Sequence, residues 1–202
     1  MERCSWSNTT DLYINYHDSE WGIPVHDDRL LFEYLFLEVF QCGLSWLLML
    51  QKRETFRACF DDFDFNKIAK YNQDDVRRIM SKENMIHSER KIKAIINNAQ
   101  CFQQIIKEFG SFSCYLWAFS DNKTIIYEGH GNGVLPVSNG LSDKISQDLK
   151  KRGFKYLGST TIYSYLQSCG IINDHEYSCP QYRLIIEKFP VANQPRNNDI
   201  FK

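Results

Sequence analysis

The sequence predicts an all-α fold. Apolar residues recur at helical spacing in several segments, as in Ile92, Ile95, Ile96, Ala99 and Phe102. Residues that cap helices stand before these segments, and glycines stand after them. No two alternating runs of the kind that pair as strands are found. There is no internal repeat and no linker, and 202 residues suffice for a sizeable core.

Residues 1–25 sustain no period and predict irregular structure with one helical turn, closed by Pro24. Asp27 or Asp28 caps a helix to about Phe40 that is apolar almost all round, and so central. A second helix runs from Trp46 to Phe60. Asp64 caps a short one through Tyr71, and Asn72 or Gln73 opens another containing Val76, Ile79 and Met80. After a polar connection, Ser88 caps a long helix to about Phe109. Ser111 caps a short one to Phe119. Residues 120–141 predict a loop, with Thr124–Tyr127 as an extended candidate. Ser142 caps a helix that Gly153 ends, and Gly158–Cys169 is the last helix. The chain beyond about Tyr182 is expected to be peripheral, with Asn193–Asn198 disordered.

Global charge points to no class of partner, since the formal net charge is -1. Three local basic clusters stand out: Lys52-Arg53, Arg90-Lys91 with Lys93, and Lys150-Lys151-Arg152 with Lys155. Each suits either a solvated helix face or a phosphate. The first residues lack the basic-then-apolar pattern of a signal peptide, and the run Leu44–Leu50 is too short to span a bilayer. A cytoplasmic protein with no membrane partner is expected. Seven scattered cysteines, an odd number, argue against a disulfide framework.

The chain is organised around Glu38-Val39-Phe40-Gln41-Cys42-Gly43-Leu44-Ser45-Trp46. The glycine ends one helix, and the next begins at once near Ser45. A carboxylate and a large aromatic then face one corner, as a ligand site or as an ordinary turn with a solvated Glu. Glu38 is the more notable for lying at a helix C-terminus, where the dipole disfavours an anion.

Two further groups carry chemistry. Cys4 and His17, with twelve residues between them, and His175 and Cys179, with three between them, lie in the segments flanking the helical body. Two thiolates and two imidazoles make a closed tetrahedral zinc set, which would staple the chain ends. The alternative is buried thiols and exposed histidines. Trp6, Tyr13, Tyr16, Trp21 and Trp46 form an aromatic group. With Glu38 they would suit a planar cation such as a methylated purine, through stacking, cation–π attraction and one acceptor. A hydrophobic cap is the alternative.

Met1-Glu2-Arg3-Cys4, Tyr16-His17-Asp18 with Glu20-Trp21-Gly22, Gly43-Leu44-Ser45-Trp46, Lys150–Lys155 and Asn173-Asp174-His175 closely resemble the DNA-3-methyladenine glycosylase I family, in order over about residues 1–180. The resemblance implies the helix-hairpin-helix DNA glycosylase fold, with the hairpin around Ser81–Arg90. It implies one glycosylase domain over 1–182, in which 1–25 and 171–182 are stapled by one structural zinc on Cys4, His17, His175 and Cys179, and a tail over 183–202. It further implies a monomeric base-excision repair enzyme that flips 3-methyladenine out of double-stranded alkylated DNA. The enzyme would hydrolyse the N-glycosidic bond and lack lyase activity. Glu38 would be the catalytic pocket carboxylate and Trp46 the stacking residue. Tyr16 would be a polar contact, Tyr13, Trp6 and Trp21 the surrounding wall, and Gln41, Gly43 and Leu44 the DNA-intercalating loop. The family commonly carries a small alanine before that glycine; Cys42 stands there in this chain. Two other functions fit the residues: excision of a different damaged base, and a catalytically silent zinc-stapled DNA-binding protein.

Overall fold

The computed structural model describes residues 2–195, and these are mostly helical. In order they form α1 (Asp11–Ser19), α2 (Asp28–Gln41), α3 (Trp46–Cys59), α4 (Phe65–Ile68), α5 (Gln73–Met80), α6 (Glu89–Phe109) and α7 (Phe112–Trp117), then strand β1 (Thr124–Tyr127), α8 (Gly140–Lys151), α9 (Ser159–Ser168), α10 (Pro180–Lys188) and strand β2 (Val191–Gln194). No described helix is long and apolar enough to cross a membrane.

Helix α2 is the axis of the molecule. Asp27 caps it by accepting from the Leu30 N–H at 2.8 Å. Every residue from Leu31 to Phe40 is buried, including the charged Glu33 and Glu38. Helices α3, α6, α7 and α9 all pack on it, as its all-round apolar surface requires. Phe36 and Phe40 meet Phe56 of α3 and Phe60 just past its end at ring-centroid distances of 4.7 to 6.0 Å. On the other side, the Tyr165 hydroxyl of α9 donates to the Leu31 carbonyl at 2.9 Å. Glu33 is held by Arg53 and Arg57 of α3 at 2.5 and 2.7 Å, so its burial is compensated.

Helices α5 and α6 form a hairpin through residues 81–88. Asn72 opens it with a reciprocal capping box to Asp75. Met85 plugs the turn, buried to 6% exposure. Ser88 occupies the N-cap position of α6 without the side-chain hydrogen bond expected of it.

Several expectations are corrected. The N-terminal segment holds a nine-residue helix, α1, capped by Thr10. Its buried residues are Tyr16 and His17, so its inner face is polar-aromatic and gives no aliphatic stripe to read. A strand pair does exist: β1 and β2 run parallel in the register Thr124 with Val191 to Tyr127 with Gln194. Four residues buried on both faces show no alternation, which is why β1 carries no period-two signal. The cap of α8 is Asn139, and Ser142 answers it from the third helical position. The chain after Tyr182 runs on as the rest of α10 and as β2. Of the segment expected to be disordered, Asn193 and Gln194 lie in β2, while residues 196–198 fall outside the described ones.

Candidate active site

The corner between α2 and α3 is built by local signals. Gly43 sits at φ +80°, a left-handed conformation that a side chain would strain. Ser45 then caps α3 through the Leu48 N–H. The C-terminal carbonyls of α2 are held from outside: Lys91 of α6 donates to Phe40 and Cys42 at 2.6 Å each. A cation at that end complements the helix dipole and fixes the loop from Gln41 to Leu44 against the hairpin. Burial lowers the Lys91 pKa, as befits an ammonium turned inward. Its partners are backbone atoms, which no side-chain pattern reveals. Lys91→Met is expected to cost about 2 kcal/mol, the worth of charge-assisted hydrogen bonds to two carbonyls, in denaturant unfolding.

Leu44 lies at the tip of this corner, 37% exposed. Cys42 turns inward instead, its Sγ 3.5 Å from the Glu38 carbonyl and 3.8 Å from Thr161 Oγ1 of α9.

Behind the corner lies a cavity of about 250 Å³. Trp6, Tyr13, Tyr16, Trp21, Glu38, Gln41 and Trp46 all line it, joined by Leu135, Ser164, Gln167 and Ser168. The aromatic group and the carboxylate therefore share one pocket. Trp6 meets Trp21 edge-on at 4.9 Å, and Tyr16 tilts against Trp46 at 5.5 Å. The Tyr13 hydroxyl accepts from the Leu47 N–H at 3.1 Å, which ties α1 to the first turn of α3.

Glu38 is 1% exposed, and the solvated-turn reading is thereby excluded. The Ser168 hydroxyl approaches its Oε1 at 3.4 Å; the Oε2 oxygen is buried without a partner, as is the Trp46 indole N–H. The Tyr16 hydroxyl donates to Ser168 at 3.2 Å. Burial pushes the Glu38 carboxyl up to about 8, against an ordinary 4.5. The pocket thus keeps one acceptor and one donor unsatisfied, at a cost that a bound planar guest can offset.

Cys4, His17, His175 and Cys179 converge beside this pocket, all buried, with their ligand atoms within 4.8 Å of one another. Cys4 Sγ and Cys179 Sγ lie 3.4 and 3.7 Å from His175 Nδ1, and Cys179 Sγ lies 3.6 Å from His17 Nε2. These are the edges of a tetrahedron whose centre could hold a metal ion. The opposite nitrogens are fixed: His17 Nδ1 faces Asp18 at 2.8 Å, and His175 Nε2 donates to the Trp21 carbonyl at 3.1 Å. Such outer partners set the tautomers that leave the inner nitrogens bare. Gly22, at φ +80°, permits the approach, since a Cβ there would lie 2.6 Å from His175 Nε2. Trp6 contacts His17 and Trp21 contacts both His17 and His175, so the pocket wall and the four-residue set are one packed unit.

Of the basic clusters, Arg53 is engaged by Glu20 and Glu33, Arg152 by Glu108 and Asp148, and Lys93 by Glu89. Lys91 is committed to α2. Lys91, Arg53 and Arg152 are thus engaged in contacts within the protein, while Lys93 shares only an exposed surface pair with Glu89.

A family model described as methyladenine glycosylase matches residues 6–182. The chain belongs to the methyladenine glycosylase family. It is 42% identical to the DNA-3-methyladenine glycosylase 1 of Escherichia coli K12 over 182 residues, 90% of this chain and 97% of that protein. It is 39% identical to the DNA-3-methyladenine glycosylase of Haemophilus influenzae over 88% of this chain and 96% of that protein. Two solved structures superpose with TM-scores of 0.84. One is 3-methyladenine DNA glycosylase I at 42% identity, covering 89% of this chain and 98% of that one. The other is a Tyr-to-Phe variant of such an enzyme in complex with 3-methyladenine, at 35% identity, covering 90% and 98%.

Within this family member, sequence reading missed Ser164, Gln167, Ser168 and Leu135. A signal for three of them was present. In the C-terminal half of α9, the polar Ser164, Gln167 and Ser168 fall at helical spacing among Tyr163, Tyr165 and Leu166 and mark one face. Leu135 comes from the loop before α8 and carries no local mark.

Proposed function

We propose that this chain is a DNA glycosylase that hydrolyses the N-glycosidic bond of 3-methyladenine in alkylated double-stranded DNA, acting as a monomer. The observation that carries the reading is the buried, half-unpartnered Glu38 carboxyl inside an aromatic pocket. Such a pocket favours a flat, positively charged guest with a hydrogen to donate. N3-methylated adenine in DNA is such a guest.

The base must leave the duplex to reach the pocket. Leu44, with Gln41 and Gly43, stands at the exposed corner in front of it and would fill the gap left in the stack. In a helix-hairpin-helix glycosylase the N–H groups of the 81–88 turn would hold phosphates, and exposed Arg90 stands beside them. The flipped base would stack on Trp46 and Tyr16, with Trp6, Tyr13 and Trp21 closing the wall. Glu38 Oε2 would accept from its amino group and balance its charge. A cationic purine leaves readily, so the protein has mainly to orient the sugar and stabilise the cation that develops on it. Among the described residues no lysine lines the pocket, which supports hydrolysis without a Schiff base and without strand cleavage.

The Cys4, His17, His175 and Cys179 set fits zinc in donor type and spacing. Four protein ligands leave no open position, so the ion would be structural, holding α1 and the 175–179 segment together.

The test is base release from alkylated duplex DNA, with free bases separated and strand integrity followed on the same sample. Release of 3-methyladenine well ahead of 7-methylguanine, from strands that remain intact, is expected. Release of another base instead would assign a different lesion. DNA binding without release would leave the silent binding protein, and prompt nicking would remove the monofunctional assignment.

A further inference from the structure

Gln167 lines the base pocket from the last turn of α9, next to Ser168, which touches Glu38. Its amide has two faces, one donor and one acceptor, and the structure decides which is turned inward. Gln167 Nε2 donates to Asp174 Oδ2 at 2.7 Å. The amide nitrogen is therefore spent on a carboxylate, and the carbonyl oxygen is the polar atom left for the cavity.

Asp174 is itself built to hold this orientation. It is 3% exposed and accepts from the Tyr163 hydroxyl at 2.6 Å, from Gln167 and, at 2.7 Å, from His130 Nδ1. His130 is 1% exposed, so the carboxylate is locked from three directions inside the protein. An acceptor-only carboxylate in that place forbids the flipped amide, which would set two oxygens against each other.

We propose that Gln167, its amide fixed by the Asp174–His130–Tyr163 cluster, is a second base-recognising acceptor beside Glu38. The pocket then selects a purine whose exocyclic amine presents both N–H groups, one to Glu38 and one to Gln167. Such a pair of acceptors turns away a 6-oxo purine, which offers two lone pairs to two oxygens. The proposal rests on the pocket being a base site, as argued above, and it makes Asp174 a positioning residue.

The experiment titrates the full-length protein and its Gln167→Met variant with free 3-methyladenine and with 3-methylpurine, which lacks the exocyclic amine. Met keeps the length of Gln and removes the acceptor. Gln167→Met is expected to weaken 3-methyladenine by about tenfold, the worth of one hydrogen bond, and to leave 3-methylpurine unchanged. Asp174→Asn, which can present a donor to Gln167 and release the amide to turn over, is expected to shrink the same 3-methyladenine to 3-methylpurine ratio in protein that remains folded by circular dichroism. A loss shared equally by the two ligands would show that Gln167 only packs, and would overturn the proposal. So would unchanged affinity for both. Binding of neither ligand by the wild type would bring down the base-site reading itself, and the acceptor pair with it.

Discussion

Glu38→Gln is expected to raise the stability of the protein at neutral pH while it removes most of its activity. The carboxyl is fully buried, one oxygen has no partner, and burial holds its pKa at about 8. In the unfolded chain the same group ionises near 4.5. Below pH 4.5 both states carry the proton and the group costs nothing. Between 4.5 and 8 the unfolded chain gives up its proton and the folded one keeps it, so stability falls as pH rises. The penalty is about 3 kcal/mol at pH 7 and approaches about 5 kcal/mol above pH 8, as upper figures for a group that finds no water. Glutamine never ionises and escapes it. Melting curves for the two proteins are expected to coincide near pH 4 and to separate with rising pH, the variant the more stable. Coincidence at pH 8 would mean that Glu38 is ionised at no cost, and the account of the pocket would fall.

The same carboxylate is wanted when a cationic base is present. Base release by the wild type, corrected for spontaneous depurination, is then expected to climb towards tenfold per pH unit below about 8 and to level off above it. Glu38→Gln is expected to be slower by about a hundredfold at pH 8, as for other residues acting on transition-state charge, and to lose the pH slope. A variant that keeps the slope would place the titrating group elsewhere.

What was legible in the sequence was local. Asp27, Ser45, Asn72 and Ser111 cap helices by bonding residues two or three positions on, so each helix start could be read within one turn. Glu38 was legible as unusual because it lies near the C-terminus of a helix apolar almost all round, where the dipole disfavours an anion. What remained hidden depended on distant packing. Lys91 binds carbonyls that lie 49 and 51 positions away, and backbone atoms leave no trace in composition. Asp174 is a polar residue beside His175 in sequence, and only the meeting with His130, Tyr163 and Gln167 makes it a clamp. Helix α1 hides because its buried face is a tyrosine and a histidine, residues recruited to the pocket and to the four-residue set and not to an aliphatic core.

Cys179→Ser is expected to have the larger structural effect. Cys4, His17, His175 and Cys179 are at most 1% exposed, and they draw the chain's beginning to the start of α10. Few aliphatic contacts hold that junction, for the cluster behind it is Tyr16, Trp21 and Leu50 with the two cysteines themselves. On the proposed reading a metal ion in this set would hold residues 4–22 in order, and removing one thiolate ligand would release it. The purified wild type is expected to carry about one zinc per chain. Cys179→Ser is expected to lose the metal and more than about 4 kcal/mol, since its remaining ligands are left as buried polar groups without a centre. The core around α2 draws on a separate phenylalanine cluster, so helical signal should survive in part while the N-terminal segment detaches. Base release must fall with it. Glu38 and Trp46 stay on α2 and α3, but Trp6, Tyr13, Tyr16 and Trp21 all belong to the detached segment, and the box loses four of its five aromatic walls. A Cys179→Ser protein that retains its zinc and its melting temperature would sink the staple. One that loses the zinc yet releases 3-methyladenine at the wild-type rate would show instead that the aromatic wall is held without it.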